Sequence, residues 1–129
     1  MAKKINVGVI GLGYIGKIHA QAYHSIPLPF PDASVTADLK AVWRTSLGRD
    51  EAFIHSCGFE KQTTDLVEFF EMPLDLVDVC TPTGFHTEYV NAAVEQGKAI
   101  YCEKPLGKDL ADARAMHDSA KKAGVPTRV

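Results

Sequence analysis

The sequence predicts an α/β fold: a doubly wound parallel sheet in three layers, with helices on both faces. Three observations carry that prediction. Short β-branched apolar runs alternate with longer segments of helical period, the pattern of βαβ units. The first run passes through three closely spaced glycines directly into a helix, in "NVGVIGLGYIGKIH". The 129 residues, 46% hydrophobic and 23% charged, suffice for one domain with one sizeable core.

In chain order, the first strand is expected over Lys4–Ile10, where β-branched residues run up to the glycines, and the first helix over Ile15–Ser25. "HSIPLPFPDASVTADLK", residues 24–40, follows; its alternating Pro27, Pro29 and Pro31 break helix and sheet alike, so it reads as a long surface excursion. The apolar run Leu39–Arg44 is the second strand and Gly48–Ser56 the second helix. A weaker strand is expected around Phe59–Gln62, then a short helix over Asp65–Phe70. Leu74–Cys80 and Lys98–Cys102 are apolar runs of strand length on either side of a helix over His86–Gln96. The last helix spans Leu110–Ala123, with Asp109 placed as its N-cap, and Gly97 and Gly124 stand where left-handed C-terminal caps belong. Pro126–Val129 reads as the opening of a further strand, the sixth of a doubly wound sheet. The chain shows no internal repeat and no low-complexity segment.

Composition narrows the function. A formal net charge of −2 provides no positive field for nucleic acid, and the pairs Lys3/Lys4 and Lys121/Lys122 read as solvated ends. No apolar stretch approaches the length of a membrane span, and the N-terminal lysines run into the glycine pattern instead of a signal-peptide cleavage site. The expected location is cytoplasmic, with no nucleic-acid or membrane partner. Cys57, Cys80 and Cys102 have no CxxC spacing, and two of them lie in strand-like runs. They are expected to be reduced core residues, and no metal site is expected.

Gly11, Gly13 and Gly16 have the GxGxxG spacing between a strand and a helix. The first permits the tight turn, the second lets the backbone approach a pyrophosphate, and the third lets the helix pack closely on the strand. The unpaired N–H groups and the positive dipole end of the helix would then hold the diphosphate. This context predicts a dinucleotide-binding Rossmann fold, with Tyr14 and Ile15 as further cofactor contacts; S-adenosylmethionine is the main competing ligand. At the end of the second strand, where an NAD-preferring domain places an acid for the ribose hydroxyls, stands Arg44, followed by Thr45, Ser46 and Arg49. A guanidinium pairs with a 2′-phosphate that a carboxylate would repel. The expected cofactor is therefore NADP in preference to NAD. The competing reading of Arg44 is a polar strand end.

Two later strands end in "VDVCTPTGFHTEYV" and "IYCEKPLG". Ligands of open α/β sheets bind beyond the carboxyl ends of the strands, which places Thr81, Pro82, His86, Glu103, Lys104 and Pro105 on the cofactor side. With "GLGYIGKIHAQAY" and "DVCTPTGFHTEYVNAAVEQGK", the "YCEKP" element resembles the glucose-fructose oxidoreductase / inositol dehydrogenase family (Gfo/Idh/MocA) over nearly the whole chain. The resemblance implies that Lys104 is a catalytic acid/base that also orients the substrate hydroxyl beside the nicotinamide. It implies that Glu103 lies near the cofactor and helps set the lysine, that Pro105 shapes a constrained turn that can be cis, and that Thr81, Pro82 and His86 line the cofactor cleft. The chemistry is coherent by itself: hydride transfer at a carbinol carbon is matched by proton transfer at its oxygen, which an ammonium can supply or accept. Without the other motifs, Glu103 and Lys104 would read as an exposed pair ending a strand. His19 and His86 are each either ligand-facing or packed, and His24, His55 and His117 are expected at the surface.

Members of that family usually run to more than twice this length, a second α/β domain supplying most substrate contacts, a further catalytic histidine and the oligomer interface. Residues 1–129 are accordingly expected to be the NAD(P)-binding domain alone, with that second domain missing. The parent activity implied is NAD(P)-dependent oxidation or reduction of a sugar, polyol or related compound, in a homo-oligomer, while the isolated domain should turn over little or nothing. The alternative is a non-catalytic NAD(P)-sensing or interaction module, against which the intact EKP argues. An S-adenosylmethionine-dependent transferase is disfavoured, since its chemistry requires neither TP...H nor EKP.

Overall fold

A computed structural model describes residues 2–129. Six parallel strands form one sheet: β1 (Lys3–Ile10), β2 (Val35–Trp43), β3 (Lys61–Thr63), β4 (Leu76–Val79), β5 (Ala99–Cys102) and β6 (Thr127–Arg128). Their order across the sheet is β3-β2-β1-β4-β5-β6, so the winding reverses between β1 and β4. This is the doubly wound Rossmann arrangement, and the crevice at the reversal lies at the carboxyl ends of those two strands.

Five helices cover the sheet: α1 (Tyr14–Ser25), α2 (Glu51–Cys57), α3 (Leu66–Phe70), α4 (His86–Glu95) and α5 (Leu110–Ala123). The period-2 alternation of β1 sends its side chains into two cores. Val7 and Val9 pack with Ala20 of α1 and with Ile54 and Cys57 of α2. Ile10 packs on the other face with Phe69 of α3, Tyr89, Val90 and Ala93 of α4, and Met116 of α5. A strand buried on both faces must read as a continuous apolar run, which is why β1 was legible. Gly8 makes room for that second core: a β-carbon there would lie 2.5 Å from Phe69 Cζ and 2.7 Å from Leu74 Cδ1.

The element boundaries shift where side-chain pattern and backbone pairing part company. β2 begins at Val35, four residues before the expected strand, so the proline-containing excursion is confined to residues 26–34. The added residues Val35–Asp38 pair with Lys3–Asn6 at the edge of the core, where Ile5 and Ala37 pack against it and Lys4 Nζ meets Asp38 Oδ2 at 3.2 Å. The alternation of Val35, Ala37 and Leu39 with Thr36, Asp38 and Lys40 signals this extension, but the prolines just before it mask the strand start. β4 is shorter than Leu74–Cys80, because Leu74 N–H turns back to Met72 O. Caps fall as expected: Asp109 Oδ1 accepts Asp112 N–H at 2.8 Å, and Gly124 has φ +69°. Asp65, expected inside the third helix, is instead its N-cap, accepting Val67 N–H at 2.7 Å.

No helix among the described residues is long and apolar enough to cross a membrane.

Candidate active site

Gly11, Gly13 and Gly16 form the strand-to-helix turn between β1 and α1. Gly11 has φ +96°, in the region that side chains avoid. At Gly16 a β-carbon would fall 2.1 Å from Gly11 O, so only hydrogen lets α1 descend onto the turn. Gly13 differs: nothing lies within 4 Å of a β-carbon built there. It is the N-cap of α1 yet makes no side-chain cap, leaving the first-turn N–H groups to face outward.

A cleft of about 490 Å³ opens over this turn, lined by Gly11 to Ile15, by Trp43 at the end of β2 with Arg44, Thr45 and Arg49 after it, and by Cys80, Thr81 and Pro82 after β4. No carboxylate lines it. Two features suit it to a dinucleotide: the open space at Gly13 beside uncapped N–H groups, and the hydroxyl of Thr81, buried without a hydrogen-bond partner. Gly11, Gly13, Tyr14, Ile15, Arg44, Thr45, Thr81 and Pro82 all line this one cleft, while Gly16 packs on Gly11 O.

Arg44 does not present the free guanidinium that the expected pairing with a 2′-phosphate requires. It is buried, its Nη1 donating to Arg49 O at 2.5 Å and its Nη2 to Asp50 Oδ2 at 2.9 Å. Asp50 sits at φ +60° and also accepts from Lys17 Nζ at 2.7 Å. The Lys17 bond and then the Arg44 bond hold its carboxyl below the usual range. The exposed guanidinium is that of Arg49, whose Nη2 lies 3.3 Å from Ser46 Oγ.

His86 departs further from expectation. It is absent from the cleft wall and almost fully buried at 1% exposure, its ring nitrogens 3.0 Å from Leu106 O and 2.8 Å from Thr81 O. The ring ties the loop after β4 to the loop after β5, positioning both without reaching a ligand in the cleft.

Glu103, Lys104 and Pro105 follow β5, one strand over from the cleft wall formed after β4. Glu103 N–H donates to Val79 O at 2.9 Å, keeping the segment in register as the strand ends. The Lys104–Pro105 bond is cis. Glu103 Oε2 accepts the N–H of Lys104 at 3.1 Å, whereas the exposed Lys104 ammonium makes no ion pair or hydrogen bond among the described residues.

Behind this turn is a network that sequence reasoning did not find. Asp78, fully buried in β4, accepts from Tyr23 Oη at 2.9 Å and His19 Nδ1 at 2.8 Å on one oxygen, and from Cys80 Sγ at 3.2 Å on the other. The other ring nitrogen of His19 reaches Glu103 Oε1 at 3.1 Å, and the ring stacks on Tyr101 with centroids 5.3 Å apart. The hydrogen bond to Asp78 raises the His19 pKa above 6.5; partial burial opposes this, and the charges of Asp78 and Glu103 add to it. Burial pushes the Tyr23 hydroxyl and the Cys80 thiol up, and takes the Cys102 thiol up to about 12. All three cysteines are free, Cys57 and Cys102 buried and Cys80 half-buried. The only sequence signal for the network was Asp78, the acid inside the apolar run "LVDVC".

Residues 5–129 match the model of the oxidoreductase family with an NAD-binding Rossmann fold (Gfo/Idh/MocA). The chain belongs to this family. It is 35% identical over 120 residues to levoglucosan dehydrogenase from Pseudarthrobacter phenanthrenivorans, covering 92% of this chain and 31% of that protein. It is 38% identical over 122 residues to myo-inositol 2-dehydrogenase from Thermotoga maritima, covering 94% and 34%. Among solved structures, levoglucosan dehydrogenase in complex with NADH and levoglucosan superposes with a TM-score of 0.86 at 33% identity, over 97% of this chain and 35% of that one. The chain thus spans about a third of the length of these relatives, and this Gfo/Idh/MocA domain corresponds to their nucleotide-binding part.

Proposed function

We propose that this domain binds NAD(P) and belongs to an oxidoreductase that moves a hydride between the nicotinamide and a hydroxyl or carbonyl carbon of a sugar, polyol or related compound. The observation carrying this reading is the unpaired Lys104 ammonium beside Glu103, on the same carboxyl edge of the sheet as the glycine turn. The relatives named as levoglucosan and inositol dehydrogenases support the substrate class.

In this reading the first-turn N–H groups of α1 hold the diphosphate and Gly13 gives it room. The nicotinamide supplies or accepts the hydride. Lys104 donates a proton to the carbonyl oxygen during reduction, or receives the hydroxyl proton through its neutral amine during oxidation. Glu103 fixes the start of the lysine-bearing turn through the Lys104 N–H. Substrate positioning requires groups on both sides of a cleft, so residues 1–129 alone bind cofactor and turn over little.

For the cofactor, we favour NADP, with Arg49 as the phosphate-binding cation and Thr45 and Ser46 as hydroxyl partners. The support is the absence of any lining carboxylate and the exposure of Arg49. Arg44 frames that surface by fixing Arg49 O and Asp50. Side-by-side calorimetric titration with NADPH and NADH tests the assignment: tighter NADPH binding is expected, and tighter NADH binding overturns the preference. Binding of neither would count against a competent cofactor site.

A further inference from the structure

The buried carboxylate of Asp78 has no part in the hydride chemistry above, yet three donors converge on it, His19 and Tyr23 from α1 and Cys80 from just after β4. Burying an acid at the centre of a sheet is costly unless its oxygens are satisfied, and this acid stands on β4 two residues before the cleft wall begins. We propose that Asp78, His19 and Glu103 form a positioning relay: Asp78 fixes the His19 ring, and the ring fixes the Glu103 carboxylate that holds the backbone at Lys104.

The geometry runs continuously from the core to the reactive turn. Asp78 Oδ2 lies 2.8 Å from His19 Nδ1, His19 Nε2 lies 3.1 Å from Glu103 Oε1, and Glu103 Oε2 accepts the Lys104 N–H at 3.1 Å. Exposure rises in the same direction, the side chains being 0%, 15% and 20% exposed for Asp78, His19 and Glu103. A carboxylate only accepts hydrogen bonds, so an imidazole between two carboxylates satisfies both only when both nitrogens carry hydrogen. The ring is thereby a cation flanked by two anions, and charge-assisted bonds of this kind are the stronger and more directional class. Tyr101 restrains the ring by stacking against it. The titratable groups around the ring are Asp78 from β4, Cys80 just after it, Tyr101 from β5 and Glu103 after that strand, with Tyr23 of α1 bonded to Asp78.

The same atoms could suggest a metal site, since donor atoms of His19, Asp78 and Cys80 lie within 4.8 Å of one another. The hydrogen bonds account for them more completely. Cys80 Sγ donates to Asp78 Oδ1 at 3.2 Å, and burial and the adjoining Asp78 both favour the protonated thiol over the thiolate a metal requires. Tyr23 and His19 already share Asp78 Oδ2.

The relay implies a pH response. As pH rises, the Nε2 proton leaves first, because Asp78 retains the shorter and more buried bond at Nδ1. A nitrogen lone pair then faces the Glu103 carboxylate, and Glu103 loses its hold.

Long-range 1H–15N NMR on the 129-residue chain tests this. The expected result is a doubly protonated His19 ring that titrates above the ordinary 6.5, with the Lys104 amide resonance following the His19 titration. Glu103→Gln lowers the His19 midpoint, Asp78→Asn lowers it further, and Tyr23→Phe raises it by removing a competing donor from Asp78 Oδ2. If Asp78→Asn does not fold, Glu103→Gln and Tyr23→Phe decide the matter. A His19 ring carrying one N–H throughout, a midpoint indifferent to Glu103→Gln, or a Lys104 amide unmoved as His19 titrates would each overturn the relay. The functional meaning of the relay rests on the proposed role of Lys104, but this readout needs no turnover. Loss of the relay would leave Lys104 as a candidate acid/base, and an active Lys104→Ala enzyme would remove that role while leaving the relay intact.

Discussion

Gly16 rests on the carbonyl of Gly11, at a distance where a β-carbon would come within 2.1 Å of the oxygen. Gly13, between them in the same motif, has open space in the corresponding direction. The two glycines therefore separate structure from function. Gly16→Ala should destabilise the domain by about 3 kcal/mol, the upper part of the overpacking range. Gly13→Ala should leave the melting temperature unchanged and weaken cofactor binding about tenfold, or about 1.4 kcal/mol. Thermal unfolding and calorimetric titration of the two variants check the division.

Arg44 and Arg49 should separate in the same manner. Arg44→Ala removes a buried guanidinium that holds Arg49 O and Asp50, and should lower the melting temperature. Arg49→Ala removes an exposed side chain and should change stability by no more than about 0.5 kcal/mol. It should weaken NADPH binding about tenfold while leaving NADH binding nearly constant, a loss of about 1.4 kcal/mol confined to the phosphorylated cofactor. Equal losses for both cofactors would remove Arg49 as the reader of the 2′-phosphate.

Stability should fall on the alkaline side before any cysteine ionises. His19 has a folded pKa above the ordinary 6.5, so its stabilising contribution is complete below 6.5 and is lost as pH rises through the folded value. The Cys57, Cys80 and Cys102 thiols, also raised, add their own loss only above their ordinary 9.0. Asp50 acts oppositely: its contribution is present above 3.8 and is lost as pH falls through its lowered value. Melting temperatures measured from pH 6 to 9 should therefore decline in the wild type and stay flatter in His19→Gln. Parallel profiles would deny His19 the linkage.

Lys104→Ala tests the chemistry. In a form of the protein with dehydrogenase activity, it should leave cofactor affinity within about twofold and reduce kcat by about 100-fold or more, the scale of general acid/base catalysis. Unchanged turnover would exclude Lys104 from proton transfer.

The legible parts of this protein were those written in neighbouring residues. β1, β5, the glycine turn and the Asp109 cap each depend on a run of fewer than about ten residues whose periodicity or spacing has one physical reading. The first half of β2, Val35–Asp38, alternates apolar and polar residues but follows directly on the prolines, and its backbone pairing with Lys3–Asn6 emerges only from the sheet. His86 was placed correctly at the start of the helix after β4, but its two readings, ligand-facing or packed, stayed open. Sequence position showed that it follows β4, whereas its burial depends on where Leu106 O comes to lie, 20 residues away.

By itself the sequence determined the strand-turn-helix proposed to meet the cofactor, the alternation that makes the sheet parallel, and the identity of the residues at the strand ends. Those follow from local geometry, since backbone conformation and side-chain period act between residues close along the chain. Only the tertiary structure decided that Arg44 is spent on Asp50, and that His19 bridges Asp78 and Glu103, 59 and 84 positions away. Such contacts depend on the order and register of β1, β4 and β5 and on the face that α1 turns toward them. Nothing in the local pattern around any one of these residues encodes that closure.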